Sequence, residues 1–311
     1  MKRHMNHTRA IVCCLAASIV GACSNEGSTG GVSFPANEQA FDAGMLPPIT
    51  EFISDATFGN DTNRVFAVLV SGPPPISRNP APGVSALTGG FTIPGGSKIV
   101  GINGGSAPYS RVLLKVVGAT DYYELTGFAP TTYDTLVFSL PQNAARTFTA
   151  AVAVSATPAD PIGPYTSMGV NLTTVGTGDV QVSLAFDAPS DIDLHVVEPD
   201  ATGFVTTNSY EIYYGASTDP TTQGKLDLDS NAACNIDNKN NENITWQGGT
   251  PPRGEFAVRV DNWDACGQTK INYVVTINVK GQPTRLIQGV FTDAGDHGGS
   301  GSGVEVARFS Y

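Results

Sequence analysis

The chain has 311 residues, of which 41% are hydrophobic, enough for two ordinary hydrophobic cores. Its formal net charge is −11, and such an acidic chain without a basic patch repels nucleic-acid phosphates, so we predict no nucleic-acid partner. The acidity is compatible with divalent cations, although acidic residues also serve solubility alone.

The amino terminus carries a segment that is typical of exported proteins. After three basic residues comes an apolar run of eleven residues, 10–20, too short to span a bilayer of roughly 30 Å but suited to a signal-peptide core. An aliphatic and two small residues at 20–22 then precede Cys23, which resembles the bacterial lipobox. The resemblance implies a signal peptide over 1–22, lipidation of Cys23 and a lipid anchor in the cell envelope. Ser24 favours the outer membrane. The alternative is an ordinary secretory signal with an incidental cysteine.

Residues 23–45 are rich in Gly, Ser, Asn and Ala and predict a flexible tether. From residue 46 onward, β-branched and aromatic runs separated by Gly, Pro, Asn and Asp predict strands and turns, with no helical spacing. We predict an irregular loop over 71–96, and strands over 64–70, 98–102, 111–117, 122–126, 135–140, 147–155 and 168–172. Short strands at this spacing are typical of a sandwich, so we predict an immunoglobulin-like β-sandwich over 46–175.

A glycine-containing step at 176–178 opens a second β region, which we predict to be a separate domain over 176–311. Its predicted strands are 179–186, 191–197, 211–214, 225–229, 243–246, 255–260, 271–279, 285–291 and 304–309. The predicted fold class is therefore all-β, with two β-sandwich domains, immunoglobulin-like and jelly-roll-like, after the signal and the tether.

The cysteines agree with export. Once the signal is removed and Cys23 is lipidated, the folded chain keeps only Cys234 and Cys266. An isolated pair in an oxidising compartment predicts a disulfide. The alternative is two buried thiols or half of a metal site.

Acidic residues alternate with aliphatic ones along two strands of the second domain. Because side chains alternate between the faces of a strand, Asp191, Asp193 and His195 share one face, which we expect to be the solvent face. Asp227 and Asp229 share a face in the same way. If the two strands lie close together, four carboxylates converge on one patch.

Carboxylates in such numbers suit calcium, which takes six to eight oxygen ligands and tolerates irregular geometry. Asn231 opens an Asn-rich run after the second strand and is a further candidate ligand. We therefore predict a calcium site formed by Asp191, Asp193, Asp227, Asp229 and Asn231. The alternative is that the aspartates only keep the sheet edges soluble and that the asparagine favours a turn.

Several motifs fall in the order seen in the YfaP-like family, a bacterial exported domain of unknown function. They lie within residues 178–311 and are 191–196 (Asp-Ile-Asp-Leu-His-Val), 213–215 (Tyr-Tyr-Gly), 226–229 (Leu-Asp-Leu-Asp), 251–260 (Pro-Pro-Arg-Gly-Glu-Phe-Ala-Val-Arg-Val) and 262–263 (Asn-Trp). Two of these strands also resemble pre-peptidase C-terminal domains, jelly-roll modules appended to secreted enzymes. The resemblance implies architecture and export, but no activity.

We find no arrangement of residues that predicts catalysis. His195 is expected to pair with an aspartate of its own strand, and no nucleophile motif accompanies it. Trp246, Tyr213 and Tyr214 are candidates for an aromatic platform that binds sugars, the alternative being ordinary core and strand positions.

We therefore expect a non-catalytic binding, adhesion or scaffold module of the cell envelope. Its expected partners are the membrane, through the lipid anchor, and an envelope protein or glycan. The alternative is a carbohydrate-binding accessory protein for an envelope or secreted enzyme.

Overall fold

Nearly all regular structure in the described part of the chain is β-strand, which confirms the predicted all-β class. The computed structural model describes residues 46–78, 82–246 and 250–311. The predicted signal peptide, Cys23 and the tether lie outside the described residues. The helical segments of the described ranges are two short 3-10 turns, Ile49–Glu51 and Ala232–Cys234. Neither turn has the length or the apolar character that a bilayer-crossing helix needs.

The first β region forms two sheets. Its described strands, in chain order, are β1 (Asp55–Phe58), β2 (Val65–Phe66), β3 (Val68–Val70), β4 (Gly90–Thr92), β5 (Ser97–Asn103), β6 (Arg111–Val116), β7 (Tyr122–Leu125), β8 (Tyr133–Ser139), β9 (Phe148–Ser155) and β10 (Thr166–Leu172). One sheet has the order β2-β1-β8-β5 and the other β3-β7-β6-β9-β10-β4. Their inner faces enclose one core, in which Phe58 and Phe138 from the first sheet meet Leu114 and Val152 from the second.

Three elements of the first β region differ from the sequence-based expectation. The predicted loop over 71–96 contains β4, which pairs in parallel with β10. β4 has only three residues and begins with a glycine, so its sequence shows no alternation of polar and apolar side chains. The predicted strand over 64–70 is divided between β2 and β3, which belong to different sheets. β1 was not predicted, since four residues also give little pattern.

The second β region forms a second pair of sheets. Its described strands are β11 (Val180–Phe186), β12 (Asp191–Val197), β13 (Glu211–Ile212), β14 (Lys225–Leu228), β15 (Asn241–Thr245), β16 (Glu255–Asp264), β17 (Ile271–Val279), β18 (Arg285–Phe291) and β19 (Val304–Ser310). The sheet orders are β14-β15-β11-β17-β18 and β13-β12-β16-β19. Leu184 and Val275 from the first of these sheets pack with Leu194, Val258 and Phe309 from the second.

Cys234 and Cys266 form the predicted disulfide, with their Cα atoms 5.7 Å apart. The bridge joins the 3-10 turn that follows β14 to the segment that follows β16. It therefore ties the Asn-rich loop of the second sandwich to the end of the strand that faces β12.

The two sandwiches pack against each other within one compact unit. Ile99 and Val137 of the first sandwich contact Ala185 and Val274 of the second in a small buried cluster. Polar groups also meet there, since the hydroxyls of Ser97 and Thr276 lie 2.7 Å apart. Every ladder between described strands joins two strands on the same side of residue 176; the domain boundaries themselves stay a prediction.

Candidate functional site

Strands β12 and β16 carry the residues of the candidate site. In their antiparallel register Asp193 lies opposite Asp261, and His195 lies opposite Arg259. Leu194 points into the core, so Asp193 and His195 occupy the other face of the strand. Ligand-capable atoms of Asp193, His195 and Asp261 lie within 4.8 Å of one another.

That outer face of β12 is not a solvent face. Asp191, Asp193 and His195 are 3%, 4% and 0% exposed, so the prediction that they face solvent is wrong. Segments that follow β13 and β14 fold back over them. The ring of Tyr213 stacks on His195, with centroids 5.0 Å apart, and the amide of Ala233 donates a 2.7 Å hydrogen bond to Oδ2 of Asp191.

A second cluster shares Asp193. Carboxylate oxygens of Asp193, Asp229 and Glu242 lie within 4.8 Å of one another. Glu242 belongs to β15 in the neighbouring sheet and is fully buried, whereas Asp229 is exposed. The amide of Leu194 donates a 2.7 Å hydrogen bond to Oε2 of Glu242. This cluster therefore joins the two sheets at one end of the sandwich and reaches solvent through Asp229.

Burial and mutual repulsion disfavour the ionised form of these carboxyls. Burial raises the pKa of Glu242 well above its ordinary value, and the neighbouring Asp193 and Asp229 raise it further. Burial raises the pKa of Asp193 to about 8, with a further contribution from Asp191, Asp229 and Asp261. The pKa of Asp191 is raised to about 6, again chiefly by burial. Carboxyls in this setting require a proton or a cation to neutralise them.

Four buried atoms around these two clusters have no hydrogen-bond partner in the described part of the chain. They are Oδ1 of Asp191, Nε2 of His195, Oε1 of Glu242 and Oδ2 of Asp261. Native proteins leave few buried polar atoms unpaired, and each such atom calls for an explanation. All four are oxygen or nitrogen atoms of the kinds that bind metal ions.

The structure places Asp227 away from the clusters, contrary to the prediction. The pairing of β14 with β15 shifts register between Leu226 and Leu228, and this irregularity breaks the alternation on which the prediction depended. The carboxylate of Asp227 instead accepts hydrogen bonds from the side-chain amide of Asn243 and the backbone amide of Gly176.

Asn231 is also not part of either cluster, because its side chain is used within the loop. Its Nδ2 donates to the carbonyl of Ser190 and to Oδ1 of Asn240. Its Oδ1 accepts from the amide of Asp237 at 3.0 Å. With φ of 64° it is one of several left-handed residues, a conformation that asparagine tolerates well, so its role is to shape the loop.

Glu242 and Asp261 are cluster residues that the predicted ligand set lacked. Glu242 ends the Asn-rich run of the sequence, and nothing in that run indicates that a β-strand buries it. Asp261 follows the alternating run of β16, and its role depends on its register with Asp193. Only knowledge of the strand pairing would have identified it.

His195 pairs with a residue of a neighbouring strand rather than with the aspartates of its own strand. Its Nδ1 lies 3.1 Å from Oε1 of Glu211. Burial acts to raise the pKa of Glu211, but hydrogen bonds from His195, the Ser300 hydroxyl and the Gly301 amide outweigh it and lower that pKa overall. Glu211 is therefore an ionised acceptor that orients the imidazole.

The proposed aromatic platform is not formed, since Trp246 is 1% exposed and lies in the core. Its Nε1 donates to Oε1 of Glu198. Tyr213 is half-buried on His195, and Tyr214 meets it edge-on with ring centroids 5.2 Å apart. The hydroxyl of Tyr214 donates to the carbonyl of Gly298. The two tyrosines thus cover the clusters rather than present a flat surface.

Glu198 forms a separate buried acidic pair with Asp219. The pKa of Glu198 is raised to about 7, chiefly by burial and also by its hydrogen bond with Asp219, while bonds from Thr222 and Trp246 oppose the shift. A Glu198 that keeps its proton donates to the Asp219 carboxylate. This pair needs no cation, because one shared proton satisfies it.

Comparisons with known proteins do not assign a family. No family model matches the chain, and no curated protein matches it. Among solved structures, it is similar to the IG1+IG2 region of DIP-gamma, at 8% identity over 68% of this chain and 96% of that one, with a TM-score of 0.23. The N-terminal Ig1-2 module of the Drosophila receptor protein tyrosine phosphatase DLAR is similar at 7% identity, over 65% and 92%, with a TM-score of 0.23. Scores of this size carry no argument about function, and the resemblance to the YfaP-like family stays a prediction.

Proposed function

We propose that this protein is an exported, non-catalytic binding or scaffold module whose second sandwich is stabilised by a bound calcium ion. The observation that carries the proposal is the cluster of Asp193, Asp229 and Glu242, whose oxygens lie within 4.8 Å of one another. Oε1 of the fully buried Glu242 has no partner. A cation beside that oxygen would satisfy it and neutralise its neighbours at the same time.

Calcium suits this cluster better than other common ions. The three ligands are carboxylates, and calcium accepts several hard oxygen donors in irregular geometry, while magnesium requires near-octahedral geometry and retains its waters. Asp191 adds further negative charge beside the cluster. The exposed Asp229 offers a route by which a hydrated ion enters.

A cation here would hold together three segments that are distant in the chain. Asp193 lies on β12, Glu242 on β15 of the other sheet, and Asp229 at the start of the loop that carries the disulfide. One ion would therefore bridge both sheets and that loop. This is a stabilising role, as expected for a module that must stay folded outside the cell.

The cellular part of the proposal depends on the amino terminus. Lipidation of Cys23 would anchor the module in the bacterial envelope, and the Cys234–Cys266 bridge supports an oxidising compartment. Two or more acyl chains make such an anchor stable. The expected partner is an envelope protein or glycan. The burial of Trp246 disfavours a carbohydrate-binding accessory role.

The calcium proposal is tested by thermal unfolding of the full chain in calcium and in chelator. At 100 times the dissociation constant, calcium adds about 2.7 kcal/mol to the free energy of unfolding. Asp229→Asn should abolish the increase in melting temperature. Asp227→Asn is the matched control, since that carboxylate lies in the same segment but outside the cluster. An unchanged melting temperature of the wild type in calcium, or an equal response of both variants, would overturn the proposal.

The anchor is tested separately by labelling cells with radioactive palmitate. Wild-type protein should incorporate the label and partition with membranes. Cys23→Ala should lose both properties, and equal labelling of this variant would contradict the anchor without affecting the calcium proposal.

A further inference from the structure

We infer that His195, Asp261 and Asp193 form a second cation position, one that selects a metal with affinity for imidazole, such as zinc. It shares Asp193 with the proposed calcium position, but its other two residues and its ligand chemistry are different. It does not require the calcium position to be filled. Ligand-capable atoms of the three residues lie within 4.8 Å of one another, and all three residues are buried.

The unpaired atoms point to a ligand independently of the acidity of the cluster. Nε2 of His195 and Oδ2 of Asp261 are both without a partner, in side chains that are 0% and 2% exposed. Both atoms are shielded from bulk water, so leaving them unpaired is unfavourable. A metal ion between them would satisfy both atoms together.

The imidazole is held in the tautomer that a metal requires. Glu211 accepts from the Ser300 hydroxyl at 2.8 Å and from the Gly301 amide at 2.7 Å, as an ionised carboxylate does. Its other oxygen lies 3.1 Å from Nδ1 of His195, so Nδ1 carries the proton and Nε2 keeps its lone pair. Metal-binding histidines usually donate their second N–H to a carboxylate in this way. Glu211 is thus a positioning residue.

Gly298 packs directly beside these atoms and equally close to the side chain of Ser302, where no larger residue fits without displacing its neighbours. A methyl group added at Gly298 would lie 2.5 Å from Oδ2 of Asp261. The carbonyl of Gly298 holds the hydroxyl of Tyr214, and Tyr213 stacks on the imidazole. Two aromatic rings and a glycine therefore cover the position and exclude bulk solvent from it.

The ligand set favours zinc over calcium at this position. Imidazole nitrogen suits zinc, copper, iron and nickel, whereas calcium takes oxygen ligands. One histidine and two carboxylates provide three protein ligands for a four-coordinate ion. A proton on Nε2 is the competing occupant, and it is distinguished from a metal by the experiment.

The test is a zinc titration of the full chain, first stripped with chelator and then saturated with calcium. We expect one equivalent of bound zinc by elemental analysis. In ¹⁵N NMR, the chemical shift of His195 Nε2 should be that of a metal-bound nitrogen and should differ from the shift of an imidazolium nitrogen. Asp261→Asn, which removes a ligand, and Gly298→Ala, which places a methyl group against Oδ2 of Asp261, should each lower the affinity for zinc at least tenfold. Glu211→Gln should weaken it by about 10–100-fold. His297→Gln is the control, because that histidine is 59% exposed and lies outside the cluster.

The results test the zinc position and the calcium position separately. Zinc binding that is lost in the Asp261 and Gly298 variants supports the inference, whatever the response to calcium. No zinc equivalent, zinc binding that is lost only in the His297 variant, or an imidazolium signal of His195 in the presence of zinc would overturn it. If zinc does not bind but calcium still stabilises the wild type, the proposed function stands and only the zinc inference fails. The loss of calcium stabilisation in Asp229→Asn tests the proposed function alone.

Discussion

The backbone amide of Leu194 donates a 2.7 Å hydrogen bond to Oε2 of Glu242, which links the edge of β12 to a buried acid of the other sheet. The second oxygen of that acid, Oε1, has no partner. One carboxyl is therefore half satisfied by the backbone, in a side chain that lies among the other acids of the cluster. This relationship determines which substitutions are informative.

Glu242→Gln should separate the structural role of this side chain from its role in binding a cation. The amide retains an oxygen that accepts from Leu194, and it removes a buried ionisable group whose pKa is strongly raised. In chelator we expect a melting temperature equal to that of the wild type or higher. In calcium we expect the increase seen in the wild type to be lost. A variant that is less stable in chelator and still responds to calcium would contradict the assignment.

Glu198→Gln should change how stability depends on pH. The folded-state pKa of Glu198 is raised to about 7 from an ordinary value of 4.5, so the folded protein holds this proton more tightly than the unfolded chain. The stabilisation is fully present below about pH 4.5 and is lost as pH rises through 7. The free energy of unfolding of the wild type, relative to the variant, should fall between pH 5 and 8.

That comparison is made by urea unfolding at several pH values in chelator. The variant keeps an acceptor for Nε1 of Trp246 and does not titrate at this position, so the difference between the two proteins isolates Glu198. A difference that is constant with pH, or that grows as pH rises, would show that the acid is not held in its neutral form.

Replacing both Cys234 and Cys266 by serine should destabilise the protein and weaken calcium binding. The bridge closes a loop with a sequence separation of 32 residues, which corresponds to about 3.5–4 kcal/mol in the chain-entropy description. Ala233 and Cys234 have φ of 51° and 57°, a costly conformation for residues other than glycine. Without the bridge this turn should relax and release Asp191 from the Ala233 amide.

Urea unfolding and calcium titration of the serine variant measure the two effects. The calcium affinity should fall because Asp229 begins the same loop. An unchanged affinity beside a large loss of stability would mean that the bridge supports the fold but not the cluster.

Ala185→Arg should uncouple the two sandwiches. Ala185 is 4% exposed and contacts Ile99 and Val137 of the first sandwich, so a charged side chain there has no space and no partner. Calorimetry of the wild type should show one cooperative transition, and the variant should show two. Val304→Arg is the control, because Val304 is 57% exposed. One transition in both variants would show that the junction does not set the cooperativity.

Much of the fold was predictable from local sequence. The strands predicted over 191–197 and 271–279 begin and end at the same residues in the structure. Dense runs of β-branched residues between turn residues strongly favour a strand. The disulfide was predictable because Cys234 and Cys266 are the two cysteines that lie beyond the predicted signal peptide and lipidation site. The shared face of Asp193 and His195 follows from strand geometry alone.

The composition of the candidate site was only partly predictable. Alternation indicates which side chains share a face, but it does not indicate what covers that face. Asp193 and His195 are buried because residues distant in sequence, among them Tyr213 and Glu242, pack over them. Asp227 left the predicted set because of a single shift of register.

The sequence by itself thus determined the all-β class, most strands, the disulfide and the acidic character of one strand face, because these depend on neighbouring residues. Only the tertiary structure decided that this face is buried, that Glu242 and Asp261 join it, and that Trp246 belongs to the core. The physical reason is that burial and ligand geometry depend on strand register and loop packing, which bring together residues as distant in the chain as Asp193 and Asp261.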